Sequence, residues 1–484
     1  MLRHVTGLNR IGSRRGFLLS ATAAPGLVRA ASQRPNVLFL VADDLNTALG
    51  CYGNPIVKTP AIDRLAARSV LFERAYCQFP LCAPSRASFL SGQRPARTGV
   101  WTLQIPTRKY LSGATLLPEL FREAGYFTAD FGKIFHDGPN HADPRSWDIL
   151  DAGAGDRDTW RSAIVDGHIM PRPRNHTMEW ASLQAADETM PDARTAQKAI
   201  DFLRDPARKS KPFFLGVGFR MPHSPYAAPS KYFDLYRRAQ IPVPEVSEEH
   251  PRSLPEAAWY ELAEQVRPDR EQARRYIAAY YACVSFLDAQ LGRVLAALEE
   301  RDLWSNTIVV FFSDHGYHLG EHGMWHKMTL FEESARVPLL IHAPGMAQGK
   351  RCSGLAELID LYPTLAELAG LRPRSKLDGA SLEPQLKNPS KPARDAAYTS
   401  VNRHADRSRL TSAFSYFGHS VRTTRWRYTE WEGGRQGSEL YNVATDPGEN
   451  RNLSDDPEYQ TTKRELQRLL RRHSFDAGHS PGTN

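Results

Sequence analysis

The sequence is poor in cysteine, and its cysteines lack the spacing of a disulfide framework or a zinc ribbon. Its 484 residues contain five, at positions 51, 77, 82, 283 and 352, and no two form a Cys-x-x-Cys pair. An odd number without paired spacing excludes a disulfide-stapled scaffold. Cys283 falls in an apolar helical pattern typical of a small buried side chain. Cys82 is the cysteine that calls for a chemical explanation.

Long apolar runs and clustered basic segments are also missing. No run of roughly 20 apolar residues follows the N-terminal region, so we do not expect an integral membrane protein. The formal net charge is +8, but residues 1–30 hold five arginines and no acid, and removing that segment leaves +3. Without a basic helix or an aromatic RNA-binding signature, this charge balance does not indicate a nucleic-acid partner.

The first 30 residues have the composition of a targeting segment. The stretch SRRGFLLSATAAPGLVRA joins paired arginines to a short apolar stretch and small residues, with a plausible cleavage site at Val28-Arg29-Ala30. The paired arginines match a twin-arginine signal, which directs folded proteins to bacterial export machinery; an ordinary basic secretory leader is the alternative. Either predicts an exported protein, in the periplasm or outside the cell.

Apolar strands alternate with amphipathic helices over residues 31–385, which predicts an α/β catalytic domain. The runs at 34–46, 211–219 and 306–316 are typical of strands buried on both faces of a largely parallel sheet, and the longest predicted helix covers about 271–300. In residues 386–484, shorter alternating segments predict a smaller domain with an antiparallel sheet and a terminal helix.

Two pairs of polar residues, an Asp-Asp pair and an Asp-His pair, end predicted strands, at the edge where open α/β sheets bind ligands. Asp43-Asp44 ends the first strand, and Asp314-His315 ends the strand at 306–316. Adjacent acids are costly to bury without positive charge, so we expect a divalent metal here. Oxygen ligands suit calcium or magnesium, and the imidazole also permits a transition metal. Caps for the following helices are the alternative.

Cys82 opens the segment CAPSRASFLSG, for which we predict a loop and then a helix that begins near Ser85 and ends at Gly92. The start of a helix favours negative charge, and Arg86 can reach back to position 82. A thiolate would be reactive there, but the segment lacks the base of a thiol nucleophile, and a thiolate suits a hard metal poorly. Four roles remain possible for Cys82 at this point: half of a disulfide, a metal ligand, a thiol nucleophile, or the precursor of another chemical group.

The motif Cys82-Ala83-Pro84-Ser85-Arg86, followed by ASFLSG, resembles the signature of type I sulfatases, in which this cysteine is oxidised to formylglycine (3-oxoalanine). Further segments match that family in order: NVLFLVADD with LGCYGN, FGKIFH, GVGFRMPHSPY, SDHGYHLGEHGMWHK and ELYNVATDPGENRNL. They cover nearly all of residues 35–455 and are most similar to the iduronate-2-sulfatase group. The resemblance implies an alkaline-phosphatase-like sandwich, with a large mixed, mostly parallel sheet flanked by helices and a smaller C-terminal domain.

The resemblance also implies a role for each matching residue. One calcium ion, rather than magnesium, would be held by Asp43, Asp44, the formylglycine made from Cys82, Asp314 and His315. Arg86 would orient the hydrated aldehyde, and the sulfate would be surrounded by Lys133, His136, His223 and Lys327, with His223 as the favoured general acid. One hydroxyl of the hydrated aldehyde would attack sulfur, and the other would expel sulfate as the aldehyde reforms. Outside the motifs, the two lysines could equally be surface residues.

The function that follows is hydrolysis of sulfate esters on a sulfated saccharide, as in iduronate-2-sulfatases, after maturation by a formylglycine-generating or equivalent enzyme. A phosphonate or phosphate ester hydrolase of the same superfamily is one alternative. A non-catalytic glycan-binding relative is another alternative. Such a relative would be expected to have lost the metal-binding residues or the Cys-x-Pro-Ser-Arg motif, and this sequence retains both. Met221 stands where the iduronate-2-sulfatase pattern has a lysine, and this missing positive charge bears on the identity of the sugar.

Overall fold

A computed structural model of the protein describes residues 34–138, 141–151, 159–169, 178–236, 241–246, 250, 253–259, 268–392, 394–403 and 416–472. The expected signal peptide, residues 1–30, lies outside these ranges and stays a prediction. The division of the chain into residues 31–385 and 386–484 stays a prediction as well.

The strands of the described residues begin and end close to the apolar runs of the sequence. In chain order they are β1 (Asn36–Ala42), β2 (Val70–Tyr76), β3 (Phe127–Gly132), β4 (Ile149–Asp151), β5 (Ile164–His168), β6 (Trp180–Leu183), β7 (Phe213–Gly218), β8 (Tyr226–Pro229), β9 (Thr307–Ser313), β10 (His318–Leu319), β11 (Trp325–His326), β12 (Arg336–Val337), β13 (Leu339–His342), β14 (Lys350–Glu357), β15 (Ala397–Arg403), β16 (Tyr416–Arg422), β17 (Trp426–Trp431) and β18 (Ser438–Asn442). Every residue of β1, β7 and β9 is buried, which explains why their sequences are apolar without alternation.

The central sheet is mixed and mostly parallel, in the order β12-β2-β13-β9-β1-β7-β3-β4, with β14 also paired to β2. β1 runs parallel to both β7 and β9, whereas β13 is antiparallel to β9. β15 to β18 form a separate four-stranded antiparallel sheet. The predicted fold class, a mixed, mostly parallel sheet with a small C-terminal antiparallel sheet, is confirmed.

Helices cover both faces of the central sheet. In chain order the α-helices of the described residues are α1 (Pro60–Ala67), α2 (Cys82–Ser91), α3 (Pro95–Thr98), α4 (Leu117–Glu123), α5 (Pro191–Arg204), α6 (Ser230–Phe233), α7 (Arg270–Glu300), α8 (Glu332–Ala335), α9 (Leu361–Leu368), α10 (Glu383–Lys387) and α11 (Gln460–Arg472). Leu38 and Leu40 share an apolar core with α5 and α7, while Val37 and Phe39 share a second core with α4 and α9. Alternate residues of β1 therefore serve opposite layers.

The longest helix, α7, is a core helix. It begins after Asp269, whose side chain accepts hydrogen bonds from the N–H groups of Glu271 and Gln272. By length and composition it could cross a membrane, but 78% of its apolar window is buried inside the protein. Cys283 of this helix is fully buried, as predicted, and none of the five cysteines, all of which are described, forms a disulfide.

A buried carboxylate joins the end of β14 to the start of the C-terminal sheet. Glu357 accepts hydrogen bonds from Arg94 Nη1 at 2.8 Å, from Arg94 Nη2 at 2.6 Å and from the Tyr398 N–H at 2.7 Å. Arg394 also pairs with it. Because Arg94 follows α2 closely in sequence, this cluster ties the C-terminal sheet to the region around Cys82.

Candidate active site

The Asp-Asp pair and the Asp-His pair lie side by side at one edge of the central sheet. β1 and β9 are adjacent and parallel, and their last residues are paired across the ladder. Asp43 and Asp44 therefore stand next to Asp314, and the Asp44 N–H donates to Asp314 Oδ1 over 3.3 Å. These three carboxylates and His315 are each at most 2% exposed. A buried cluster of this kind requires positive charge nearby.

The Cys82 thiol points into this acidic cluster. Its Sγ lies 3.4 Å from Asp43 Oδ1, 3.4 Å from His315 Nε2 and 3.3 Å from Lys327 Nζ. A carboxylate, an imidazole and an ammonium group thus converge on one side-chain atom. A group at position 82 therefore contacts two of the residues expected to bind a metal, and it also contacts the ammonium group of Lys327.

The helix that carries Cys82 begins at that residue rather than near Ser85, so the predicted loop is shorter than expected. Leu81 precedes it in an extended conformation, with φ −154°. Pro84 is accommodated because the N–H groups of a first helical turn have no helical acceptor in any case. Gly92 ends the helix in the left-handed conformation, with φ 65°, as predicted.

The donor atoms fit a divalent cation. The side chains form two overlapping sets, and within each set the possible ligand atoms all lie within 4.8 Å of one another. The first set is Asp43, Cys82, Asp314 and His315, and the second is Asp44, Cys82 and His223. Together the two sets contain three carboxylates, and carboxylate oxygens are the ligands that a hard cation such as calcium or magnesium prefers. The structure therefore brings all the sequence-predicted metal ligands into one place.

Three cationic side chains face the three carboxylates. Lys133 Nζ pairs with Asp43, and Lys327 Nζ lies 2.5 Å from Asp44 Oδ1. Arg86 Nε donates to Asp314 Oδ2 over 2.9 Å, and Arg86 Nη2 lies 3.6 Å from Asp43 Oδ1. The side chains of Lys133 and Lys327 are only 2% and 15% exposed, so neither is a surface lysine.

This charge arrangement favours an anion at position 82. Burial alone would raise the pKa of the Cys82 thiol, but the ammonium groups of Lys133 and Lys327 bring it well below its ordinary value. Burial also opposes ionisation of Asp43, yet Lys133, His223 and Arg86 lower its pKa. The same field would stabilise negative charge on a ligand that reaches this position.

His223 faces the cluster with one defined ring nitrogen. Its Nδ1 donates to the Ser224 carbonyl oxygen over 2.6 Å, and Nε2 lies 3.9 Å from Asp44 Oδ2. Burial works against the charged ring, but the carboxylates of Asp44 and Asp43 raise the pKa of His223 above its ordinary value. The arrangement can hold a proton on Nε2, the nitrogen that faces Asp44.

A second histidine, His136, also lies next to position 82. It is close enough to hydrogen-bond the Cys82 thiol, and burial lowers the pKa of His136 below its ordinary value. Its ring packs edge-on against His141, with centroids 4.9 Å apart. Burial therefore favours the neutral ring at His136, whereas the nearby carboxylates favour the charged ring at His223.

A cavity of about 260 Å³ adjoins His223. Trp160, Met221 and Phe286 provide apolar walls, and Asp137 and Arg220 provide polar groups. Apolar walls with a few polar groups are typical of a pocket for a small molecule.

The Asp137–Arg220 pair was not predicted from the sequence. Arg220 Nη1 and Nη2 donate to the two Asp137 oxygens over 2.8 and 2.5 Å, and Asp137 also lies 3.7 Å from Lys133 Nζ. The two residues are 83 positions apart, and neither has a local sequence pattern that marks it. The available signal was their place in the sequence: Asp137 directly follows the FGKIFH motif, and Arg220 lies inside the GVGFRMPHSPY motif.

Comparisons with known proteins place the chain in a family. A family model described as Sulfatase matches residues 35–371, and one described as N-sulphoglucosamine sulphohydrolase, C-terminal, matches residues 320–475. The iduronate 2-sulfatases of Mus musculus and Homo sapiens are 33% and 32% identical to the chain, over 90% and 87% of it and 94% and 91% of their own lengths.

The fold also matches solved structures. The phosphonate monoester hydrolase of Agrobacterium radiobacter superposes with a TM-score of 0.73 at 24% identity, covering 91% of this chain and 95% of that one. At this identity the match concerns the fold and not the reaction. The sulfatase model covers well over half of the chain, and the iduronate 2-sulfatases match nearly all of it. This protein belongs to the sulfatase family.

Proposed function

We propose that this sulfatase acts on a sulfated saccharide through a formylglycine made from Cys82 and one calcium ion at the acidic cluster. The observation that carries the proposal is the environment of Cys82 Sγ, within 3.4 Å of Asp43, His315 and Lys327. A thiol with no further chemistry would not need a hard-metal cluster and a lysine on the same atom. Magnesium is the less favoured ion.

Formylglycine and calcium would each supply one kind of chemistry. Formylglycine supplies a hydrated aldehyde, whose two hydroxyls serve attack on sulfur and then release of sulfate. Calcium would be held by Asp43, Asp44, Asp314 and His315 and would supply positive charge. Since three carboxylates already face three cations here, a divalent ion gives the site an excess of positive charge, which favours the sulfate anion.

The chain's own residues would position and stabilise the ester. Lys133 and Lys327, whose ammonium groups lie beside position 82, would stabilise charge on the sulfate oxygens. Arg86 holds Asp314 through a 2.9 Å hydrogen bond and so fixes the cluster behind the nucleophile. His223 would donate the Nε2 proton to the oxygen of the leaving alcohol, because Nδ1 is committed to Ser224.

The cavity beside His223 supports a saccharide substrate of the iduronate-2-sulfatase type. It adjoins the proposed acid, and its apolar walls suit the face of one sugar ring while Asp137 and Arg220 can meet polar substituents. Maturation of Cys82 by a formylglycine-generating or equivalent enzyme and export through the twin-arginine route complete the proposal.

Mass spectrometry of the peptide containing residue 82, taken from active protein made in its native cell, tests the nucleophile. We expect the mass of formylglycine, and an unmodified cysteine in active enzyme would rule out this mechanism. Cys82→Ala should abolish turnover, whereas Cys51→Ser, at a cysteine outside the acidic cluster, should leave it intact.

A substrate panel tests the reaction and the sugar separately. We expect aryl sulfates to react faster than aryl phosphonate diesters, and the reverse order would favour the phosphonate hydrolase alternative. Among sulfated mono- and disaccharides we expect 2-sulfated uronates to be turned over. If other sulfated sugars react and these do not, the iduronate-2-sulfatase type is wrong but the sulfatase reaction stands.

A further inference from the structure

The turn that carries Asp44 adopts a conformation that a non-glycine residue rarely takes. Asp44 has φ 63°, in the left-handed region, where the side chain crowds the backbone. Nevertheless this residue has to present its carboxylate to the cluster. The neighbouring Leu45 N–H is held by Ser313 Oγ over 2.9 Å, which fixes one side of the turn to β9.

The other side of the turn is held by α7. The Tyr280 hydroxyl donates to the Asp44 carbonyl oxygen over 2.8 Å and accepts from the Asn46 N–H over 2.9 Å. One oxygen atom therefore bridges the two peptide groups that flank the bend. Tyr280 is fully buried, so its hydroxyl makes these two hydrogen bonds without competition from bulk water.

The tyrosine ring is itself fixed. It stacks on Tyr317 with centroids 5.8 Å apart and planes 22° apart, and it meets Tyr226 edge-on at 5.7 Å. The Asn46 side chain adds a hydrogen bond to the Tyr317 carbonyl oxygen over 3.0 Å. The ring can thus hold the hydroxyl in one place whether or not an ion is bound.

We propose that Tyr280 is a positioning residue for the metal site, whose hydroxyl holds the left-handed Asp44 turn in the shape that aims the carboxylate at the cation. This inference rests on the proposed calcium site, since it assigns the support of one of its ligands. Groups that orient a ligand without touching the metal commonly change metal affinity 10- to 100-fold when removed, by order of magnitude.

Calcium affinity of Tyr280→Phe tests the proposal, because this substitution removes one oxygen and keeps the packed ring. Matured protein, with residue 82 verified by mass spectrometry, is stripped with a chelator and titrated with calcium by calorimetry. We expect the dissociation constant to rise at least about tenfold. Saturating calcium should restore most of kcat/KM, which a merely structural loss would not allow.

Tyr281→Phe is the matched control. It is the next residue of the same helix, and its hydroxyl accepts from Asn54 Nδ2 over 3.2 Å, away from Asp44. We expect unchanged calcium affinity in this variant. An unchanged calcium affinity in Tyr280→Phe, whatever happens to its melting temperature, would overturn the positioning role alone. Failure of the wild-type protein to bind calcium would overturn the metal assignment and this inference with it.

Amide hydrogen exchange in the wild-type protein tests the same idea without a variant. If Tyr280 holds the Asp44 turn in its final shape before calcium binds, the Asn46 amide should exchange slowly in the chelator-treated protein, and calcium should add little protection. Fast exchange that becomes slow only on addition of calcium would show that the ion shapes the turn, and would overturn the proposal even if Tyr280→Phe does not fold.

Discussion

Glu357→Gln should remove a large part of the acid-sensitive stability of the protein. Glu357 is fully buried, and burial would raise the pKa of this carboxyl, but Arg394 and Arg94 lower it from 4.5 to about 2. A group with a lowered native pKa contributes its full stability above pH 4.5 and loses it as the pH falls toward 2. The shift corresponds to roughly 3 kcal/mol.

The neutral amide should cost at least that much at pH 7, because it leaves Arg94 and Arg394 facing a buried group without charge. Breaking a buried ion pair from one side typically costs about 3–5 kcal/mol. Urea unfolding of both proteins between pH 3 and pH 7 measures this directly. The difference in unfolding free energy should shrink steadily below pH 4.5, since the wild-type carboxylate is being protonated.

An exposed carboxylate serves as the control. Glu300 pairs with Arg204 over 2.7 Å, but both side chains are more than half exposed, so Glu300→Gln should cost less than about 1 kcal/mol at any pH. A difference between wild type and Glu357→Gln that stays constant from pH 7 to pH 3 would refute the reasoning, since it would mean that the carboxylate is not held ionised in the folded protein.

The remaining predictions concern the active site. His223→Gln should lower kcat by about 10²–10⁴ on a sugar sulfate but far less on a 4-nitrophenyl sulfate, whose leaving group needs no proton; equal losses on both would contradict the general-acid role. Lys327→Met should lower kcat/KM by roughly 10²–10³, measured with an aryl sulfate, and a change below threefold would remove Lys327 from the sulfate site. Chelator treatment should abolish activity until calcium is returned, and activity that survives exhaustive chelation would exclude a metal-dependent reaction.

The sequence was sufficient to predict those features that follow from a local pattern of residues or from a general rule of sheet geometry. Strands buried on both faces require unbroken apolar runs, so the amino-acid pattern alone locates β1, β7 and β9. Because parallel strands end at one edge, the convergence of Asp43-Asp44 with Asp314-His315 followed as well. The start of α2 was misplaced because Leu81 offers no capping side chain, so nothing in the sequence distinguishes Cys82 from Ser85 as the first helical residue.

Side-chain contacts that depend on how helices and loops pack against the sheet could not be predicted. Tyr280 occupies a position of the apolar stripe of α7, where a tyrosine has the same periodicity as any core residue. Only the packing of α7 on β1 places its hydroxyl against Asp44, 236 positions away. The pairing of Arg220 with Asp137 has the same character, because each residue alone is an ordinary charged side chain beside a motif.

The pairing of three carboxylates with three cationic side chains means that a bound cation and a bound anion would each replace one partner of these ion pairs. A divalent ion that enters among Asp43, Asp44 and Asp314 competes with the ammonium groups of Lys133 and Lys327, while a sulfate competes for those same ammonium groups from the other side. Each ligand weakens the contacts that oppose the other, so cation and anion bind with positive linkage. At the proposed calcium site, the affinity for calcium would therefore be higher in the presence of sulfate than in the free enzyme, and loss of the ion would be easiest between turnovers.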